Sequence, residues 1–196
     1  MKKLLYLHGF NSSPQSEKAQ LTSAFFAQRA SASIEIVVPA LPPEPRTAMT
    51  KIKTMINQGK NDVVGLIGSS LGGFYSLHLH AQFGLPAVLI NPAIRPYELL
   101  QAYIGENINP YTDERYEVAP QHMEQLLALK VAADDINDQN LFLLTQTDDE
   151  VLDFRQACEL MPTAKLWLDY GGDHAFQNFA KALPSICQFF DQIKRI

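Results

Sequence analysis

Runs of apolar residues recur along the chain, and stretches of mixed polarity lie between them. The runs are continuous rather than alternating, which is typical of parallel strands that helices cover on both faces. We predict strands over residues 3–8, 34–39, 62–68, 86–91, 140–146 and 164–170. The intervening stretches predict helices around residues 14–29, 45–58, 71–83, 150–160 and 176–194. This alternation predicts an α/β fold with an about six-stranded, mostly parallel sheet and right-handed crossovers.

The start of the first helix has a local signal. Ser13 has a side chain suited to an N-cap, and Pro14 is a residue that the first helical position tolerates well. We therefore predict that this helix begins at Pro14.

Two stretches interrupt the alternation of strand and helix. Residues 39–45, PALPPEP, are rich in proline and predict a stiff, extended loop. Residues 92–139 are too long for a single crossover, and they predict a helix, an irregular stretch and a second helix. This segment follows the fourth predicted strand, at the sheet edge where open α/β folds bind ligands. This segment either completes the core or forms a small helical cap over a pocket, and the sequence does not distinguish between these two alternatives.

Composition narrows the class of protein. The 196 residues are 46% hydrophobic, which suits one globular domain with a sizeable core. The formal net charge of −5 argues against nucleic acid as the main partner, because phosphate binding requires a basic face. The N-terminal apolar run is too short for a signal peptide, and no segment approaches the roughly 20 apolar residues of a membrane span. Cys158 and Cys187 lack metal-ligand spacing, so we expect reduced thiols in helices of a cytoplasmic protein.

Residues 65–75, GLIGSSLGGFY, place two serines among glycines directly after an apolar run. With Ser70 as the reference, Gly68 and Gly72 satisfy G-x-S-x-G, the pattern of a sharp strand-to-helix turn that exposes a nucleophile. With Ser69 as the reference, both flanking positions would hold bulky residues. The pattern therefore selects Ser70.

A serine nucleophile needs a base, an acid that orients the base, and donors for the oxyanion. In one common arrangement the acid and then the histidine follow the serine in the chain. His174, in DYGGDHAF, meets this order, since it follows the last predicted strand on a glycine-containing loop. The other histidines do not suit the order or the position: His8, His78, His80 and His122.

The acid should lie in the turn after the fifth predicted strand, where TQTDDEVLDF offers several carboxyl groups. Glu150 and Asp153 suit the first turn of a helix, where the macrodipole favours acidic residues. Asp148 and Asp149 lie in the turn itself, and spacing alone does not choose between them.

Two backbone N–H groups are candidates for an oxyanion hole. One belongs to Leu71, the residue after the candidate nucleophile. The other belongs to Phe10 in LHGFNSS, where Gly9 allows the backbone after the first strand to turn inward.

Several motifs together resemble the YqiA-type esterases, a small family of the α/β-hydrolase superfamily: YLHGFNSSPQSEKA, GSSLGGFY, NPAIRPYELL, NPYT, DEVLDF and GGDHAF. The resemblance covers nearly the whole chain. It implies an α/β-hydrolase fold with Ser70 as nucleophile, His174 as base and Asp149, the first residue of DEVLDF, as acid. The resemblance also implies carboxylesterase activity and extends the implied substrates to acyl-CoA thioesters.

We therefore expect one α/β-hydrolase domain over residues 1–196 that hydrolyses small or medium acyl esters through an acyl-enzyme. This chemistry requires no metal or cofactor. An acyl-CoA thioesterase with the same triad is the nearest alternative, and Arg46 and Arg95 are candidates for its phosphate contacts. A non-catalytic ligand-binding module on the same fold is a further alternative, although such modules typically lack a triad member.

Overall fold

The computed structural model describes residues 1–28, 34–59 and 62–193. Its strands, in chain order, are β1 (Lys2–Leu7), β2 (Ile34–Val37), β3 (Val63–Ser69), β4 (Ala87–Ile90), β5 (Gly105–Ile108), β6 (Arg115–Val118), β7 (Leu141–Gln146) and β8 (Lys165–Asp169). All but β5 and β6 form a six-stranded parallel sheet in the order β2-β1-β3-β4-β7-β8.

The helices between these strands are α1 (Glu17–Ala27), α2 (Pro45–Gln58), α3 (Leu71–Phe83), α4 (Pro96–Leu99), α5 (Pro120–Leu127), α6 (Phe154–Leu160) and α7 (Leu183–Ile193). Short 3₁₀ turns cover Leu100–Tyr103, Ala133–Asp135, Asp138–Asn140 and Phe179–Ala182. Across the described ranges, none of the helices has the length and apolar character that a membrane crossing requires.

The sheet separates two hydrophobic cores, because successive side chains of a strand point to opposite faces. On β1, Leu5 and Leu7 pack with α2 and α3, whereas Leu4 and Tyr6 pack with α1 and α7. Burial on both faces explains why the strands appear in the sequence as continuous apolar runs. The predicted α/β fold, a parallel sheet with helices on both faces, is confirmed.

The strand order reverses direction at β1. The chain passes from β1 to β2 on one side, and it then returns to place β3 on the other side of β1. The loops that follow β1 and β3 therefore diverge to opposite faces, and they leave a crevice at the carboxyl ends of the strands. Ser70 follows β3 at this crevice, and residues 8–12 follow β1.

The first helix starts later than the sequence predicts. Ser16 occupies the N-cap position of α1, so the prediction of Ser13 as N-cap and Pro14 as the first helical residue is wrong. The Ser13 hydroxyl instead accepts a hydrogen bond from the Gln15 backbone N–H at 3.0 Å. This bond closes a local turn before the helix begins.

The helix predicted over 150–160 also begins late, because a cap residue sets its start. The Asp153 side chain accepts a hydrogen bond from the backbone N–H of Arg155 and caps α6. Glu150 therefore lies before the helix rather than in its first turn.

The C-terminal helix predicted over 176–194 is divided. A 3₁₀ turn covers Phe179–Ala182, and α7 follows it directly. Pro184 is the second residue of α7, and proline is tolerated in the first turn of a helix but not in its interior. Residues 29 and 194, at which the first and last helices are predicted to end, lie outside the described residues.

The prediction of an irregular stretch within residues 92–139 is wrong, because β5 and β6 form an antiparallel hairpin there. Asn109 stabilises the hairpin turn, since its backbone N–H donates to Glu114 O at 2.9 Å. Two hydrogen bonds join the hairpin to the loop after β1: the Asn109 side chain donates to Ser12 O at 3.0 Å, and the Tyr116 hydroxyl donates to Asn11 Oδ1.

The helix predicted after the hairpin ends at Leu127. Residues 92–139 therefore contain both strands and helices, rather than helices alone.

We expect Gly72→Ala to lower the free energy of unfolding by about 3 kcal/mol, because a well-packed backbone has no room for a side chain there. A Cβ at Gly72 would lie 1.9 Å from Leu7 O. Gly84→Ala is the matched control: its φ is +67° but nothing lies within 4 Å of the added Cβ, so only the backbone strain of about 1 kcal/mol is expected. Denaturant unfolding measures both, and equal losses would contradict the close approach at Gly72.

Candidate active site

Ser70 lies at the turn between β3 and α3 with φ 55° and ψ −119°. This backbone conformation is strained for a residue with a side chain, and it persists only where the surroundings hold it. The Ser70 N–H donates to Ile90 O at 3.0 Å, and the Ser70 carbonyl accepts from Gly73 N at 2.9 Å and Ala93 N at 3.1 Å. The end of β4 and the first turn of α3 therefore fix the backbone of Ser70.

His174 lies between Ser70 and Asp149. Its Nε2 atom is 3.0 Å from Ser70 Oγ, and its Nδ1 atom is 2.9 Å from Asp149 Oδ2. The three residues come from three loops at the same edge of the sheet, after β3, β7 and β8. The structure thus brings together the serine, the histidine and the acid that the motifs indicated.

The Asp149 carboxylate is 2% exposed and has hydrogen-bond donors on several sides. Its Oδ1 atom accepts from the backbone N–H groups of Val151 and Leu152, both at 2.9 Å. Burial raises the pKa of Asp149, but the hydrogen bond from His174 and these two amides outweigh it and hold the pKa below its ordinary value. An ionised Asp149 requires the proton on Nδ1 of His174, which leaves Nε2 as an acceptor for the Ser70 hydroxyl.

The other carboxyl groups of the same turn have different partners. Asp148 is exposed, and its Oδ1 atom accepts from the Thr147 hydroxyl at 3.0 Å. Glu150 accepts from the backbone N–H of His174 at 3.0 Å. Of the two aspartates that spacing left open, Asp149 is therefore the one against the His174 ring.

The candidate oxyanion donors lie on the two loops that meet at Ser70. Leu71 is the first residue of α3, and the first N–H groups of a helix have no partner within it. The Phe10 ring packs edge-on against Tyr103 and Tyr116, at centroid distances of 5.1 and 6.3 Å, and so anchors its loop. Gly9 lies against Ser70, since a Cβ there would be 3.2 Å from Ser70 Cβ.

A cavity of about 350 Å³ opens beside Ser70 and His174. The loop after β1 forms one wall through Phe10, and the start of α1 forms another through Lys18. The excursion over residues 92–139 contributes Tyr111 to its wall.

Two buried amide side chains hold the loop that carries His174. Gln146 Oε1 accepts from the backbone N–H groups of Asp173 at 3.1 Å and Gln177 at 2.8 Å. Asn91 Nδ2 donates to Asp173 O at 3.0 Å and His174 O at 3.3 Å, while Asn91 Oδ1 accepts from Gln146 N at 3.1 Å. Sequence reasoning missed both residues, although a polar amide directly after an apolar strand was a usable signal.

The remaining histidines serve the local structure. Their rings bond to the backbone as follows: His8 to Gly9 and Leu41, His78 to Leu129, His80 to Leu85, and His122 to Ala119. Within the described part of the chain, no group of three or more His, Cys, Asp or Glu side chains is arranged to hold a metal ion.

The sheet and its flanking helices define an α/β hydrolase fold. Est1E from Butyrivibrio proteoclasticus, solved with ferulic acid bound, superposes with a TM-score of 0.76 at 12% identity, covering 98% of this chain and 89% of that one. The esterase domain of a Rhodothermus marinus protein gives 0.70 at 16% identity, covering 96% and 85%. Mouse alpha/beta hydrolase domain-containing protein 10 gives 0.68 at 15% identity, covering 97% and 90%. At these identities the likeness is one of fold.

Residues 3–191 match the uncharacterised protein family UPF0227, and the chain belongs to that family. The match covers the stretch in which the motifs resemble the YqiA-type esterases, and that resemblance is confirmed.

We expect Gln146→Leu to accelerate hydrogen exchange at the amides of Asp173 and Gln177 by about tenfold or more, because both N–H groups lose their acceptor and the loop opens more readily. Gln101→Leu is the matched control, since Gln101 is exposed and its side chain donates to Tyr97 O at 3.3 Å, away from the His174 loop. Exchange measured by NMR should be unchanged in the control. Unchanged exchange in Gln146→Leu would show that other contacts hold the loop.

Proposed function

We propose that this protein is a serine-dependent carboxylesterase that hydrolyses small or medium acyl esters through an acyl-enzyme. One observation carries the proposal: Ser70 Oγ is 3.0 Å from His174 Nε2, while Asp149 is 2.9 Å from His174 Nδ1. Each distance is within hydrogen-bond reach, which a nucleophile, a base and an orienting acid require.

The proposed reaction has two halves. His174 Nε2 removes the Ser70 proton as Oγ attacks the ester carbonyl, and it then returns a proton to the departing alcohol. Water, activated by the same nitrogen, hydrolyses the acyl-enzyme and releases the acid. Asp149 holds the Nδ1–H tautomer and stabilises the imidazolium, and the N–H groups of Phe10 and Leu71 stabilise the oxyanion. No step in this sequence needs a metal or a cofactor.

The strained backbone of Ser70 supports this assignment of the nucleophile. Strain of this kind occurs at functional sites where the surrounding structure maintains it. The Ser70 backbone is held from β4, and the serine side chain is turned toward His174.

The cavity supports a substrate of limited size. Pockets for small molecules usually have volumes of about 300–1,000 Å³, and this one, at about 350 Å³, is at the lower end. We propose that residues 92–139 act as a cap-like part of a single domain and wall this cavity through Tyr111. The free thiol of Cys158 supports a cytoplasmic location.

The two arginines predicted as phosphate contacts of an acyl-CoA thioester lie away from Ser70. Arg95 lies 3.8 Å from Glu98 and borders a separate groove of about 630 Å³. Arg46 bonds through its backbone to Gln125 on α5. Within the described residues, neither arginine borders the cavity beside Ser70.

We expect Ser70→Ala to reduce ester hydrolysis by about 10⁴-fold or more, because only binding and the oxyanion donors would remain. A fluorophosphonate probe should label the wild-type protein at Ser70. Ser69→Ala is the matched control one residue away, and it should still be labelled at Ser70. Peptide mapping decides the result, and a label on Ser69 or wild-type activity in Ser70→Ala would overturn the assignment.

We expect Asp149→Asn to lower kcat by about 10³-fold, because an amide cannot hold the same tautomer of His174. Asp148→Asn, which is isosteric and one residue away, should lower kcat less than about threefold, since the Asp148 side chain bonds to Thr147. Steady-state rates on a simple ester compare the two variants. The reverse order of effects would move the role to Asp148.

A further inference from the structure

Strand β8 (Lys165–Asp169) forms one edge of the main sheet. Within the described ranges its backbone pairs with β7 alone, so its other side presents N–H and C=O groups with no strand beside them. Such an edge can pair with a strand of another chain. Apolar side chains are exposed here as well, since Leu166 is 48% exposed and Tyr170, directly after the strand, is 89% exposed. The edge is therefore open both to hydrogen bonding and to apolar contact.

The pairing with β7 shows which residues of β8 face outward. The Asp169 carbonyl accepts a hydrogen bond from Thr147 N at 3.0 Å, so the backbone of Asp169 faces the β7 side. The backbone groups of successive residues in a strand point to alternate sides. Leu166 and Leu168 therefore direct their N–H and C=O groups toward the open edge, where they are available to a further strand.

The charged side chains of β8 share one face of the sheet. Trp167 packs with the core beneath α1 and α7, and Lys165 lies on the same face, with its Nζ atom 4.4 Å from the centre of the Phe142 ring. Asp169 is two residues beyond Trp167, and alternation places its side chain on this face too. A cation and an anion thus lie at equal distances along the strand on either side of Trp167.

A second copy of β8 that runs antiparallel complements this arrangement. When Trp167 lies opposite Trp167 of the copy, Lys165 of each chain lies opposite Asp169 of the other. Leu166 and Leu168 then lie opposite each other and face inward, as a hydrogen-bonded pair of an antiparallel ladder requires. Displacing one copy by one residue breaks these hydrogen bonds, and displacing it by two removes both charge pairs. Hydrogen bonding and charge therefore select the same register.

We propose that this protein forms a symmetric dimer in which the β8 strands of two copies pair antiparallel about Trp167. The pairing joins the two main sheets into one continuous sheet and covers Leu166. Each copy contributes the same residues, as an interface with twofold symmetry requires. A lysine on an edge strand commonly opposes association, but here Asp169 of the second copy gives that charge a partner.

Sedimentation velocity of the wild-type protein tests whether the dimer exists, and it does not depend on the proposed ester hydrolysis. We expect the mass of two chains to predominate at the upper end of a concentration series from about 1 to 100 µM. The mass of a single chain throughout this series would overturn the proposal.

Two charge variants test the register. Lys165→Asp places two carboxylates opposite each other in every pair, and Asp169→Lys places two ammonium groups opposite each other. We expect each variant alone to associate about tenfold or more weakly than the wild type. An equimolar mixture of the two variants should recover the dimer, because their remaining charges are complementary. Variants that dimerise as tightly as the wild type would overturn the proposal.

Glu35→Lys is the matched control for Asp169→Lys. It changes the net charge by the same amount, and Glu35 is an exposed residue of β2, at the opposite edge of the sheet. We expect this variant to dimerise like the wild type. Association weakened as much in Glu35→Lys as in Asp169→Lys would attribute the effect to net charge and overturn the proposal.

The double variant Lys165→Asp/Asp169→Lys guards against a single variant that fails to fold. It exchanges the two charges within one chain, so every pair is again complementary, and circular dichroism checks its fold. We expect it to dimerise within about threefold of the wild-type affinity. A folded double variant that remains a single chain would overturn the proposed register.

Hydrogen exchange measured by NMR tests whether β8 is the surface that pairs. The amides of Leu166 and Leu168 should exchange about tenfold or more slowly in the wild-type dimer than in Lys165→Asp, because only the dimer gives them acceptors. The Trp167 amide faces β7 in both proteins and should change much less. A wild-type dimer with equally fast exchange at Leu166 and Leu168 would use another surface, which would overturn the proposal.

Discussion

The close approach of backbone segments around Gly72 is the constraint on which the site depends. A Cβ at Gly72 would lie 1.9 Å from Leu7 O, so α3 rests directly on the end of β1. This contact places the turn between β3 and α3 at the point where the strand order reverses, and it fixes Ser70 beside the loop after β1. Without it, Ser70 and Phe10 would not border one cavity.

A second constraint places His174 opposite Ser70. The His174 loop follows β8, two strands away from β4, yet Asn91 and Gln146 at the ends of β4 and β7 bond directly to its backbone. Both amides are buried, so their hydrogen bonds are costly to break. These two amides and the Glu150 carboxylate, which accepts from the His174 backbone N–H, thus hold the position of His174, and Asp149 orients the ring.

The sequence predicted the features that depend on local pattern. Continuous apolar runs located every strand of the main sheet, and chain order together with G-x-S-x-G selected Ser70 and His174. The hairpin over Gly105–Val118 was missed because its strands are short and only partly buried, which gives little contrast between faces. The role of Gln146 depends on contacts with residues distant in the chain, and local pattern carries no information about such contacts.

The central claim is that an acyl group passes through Ser70 during turnover. The most direct measurement is acid quenching of wild-type protein during turnover of p-nitrophenyl butyrate, followed by peptide mass spectrometry. We expect one butyryl group per chain, on the peptide that contains Ser70, and a matching pre-steady-state burst of p-nitrophenol. Hydrolysis that proceeds with no butyryl group on the protein, or with that group on another residue, would contradict the claim.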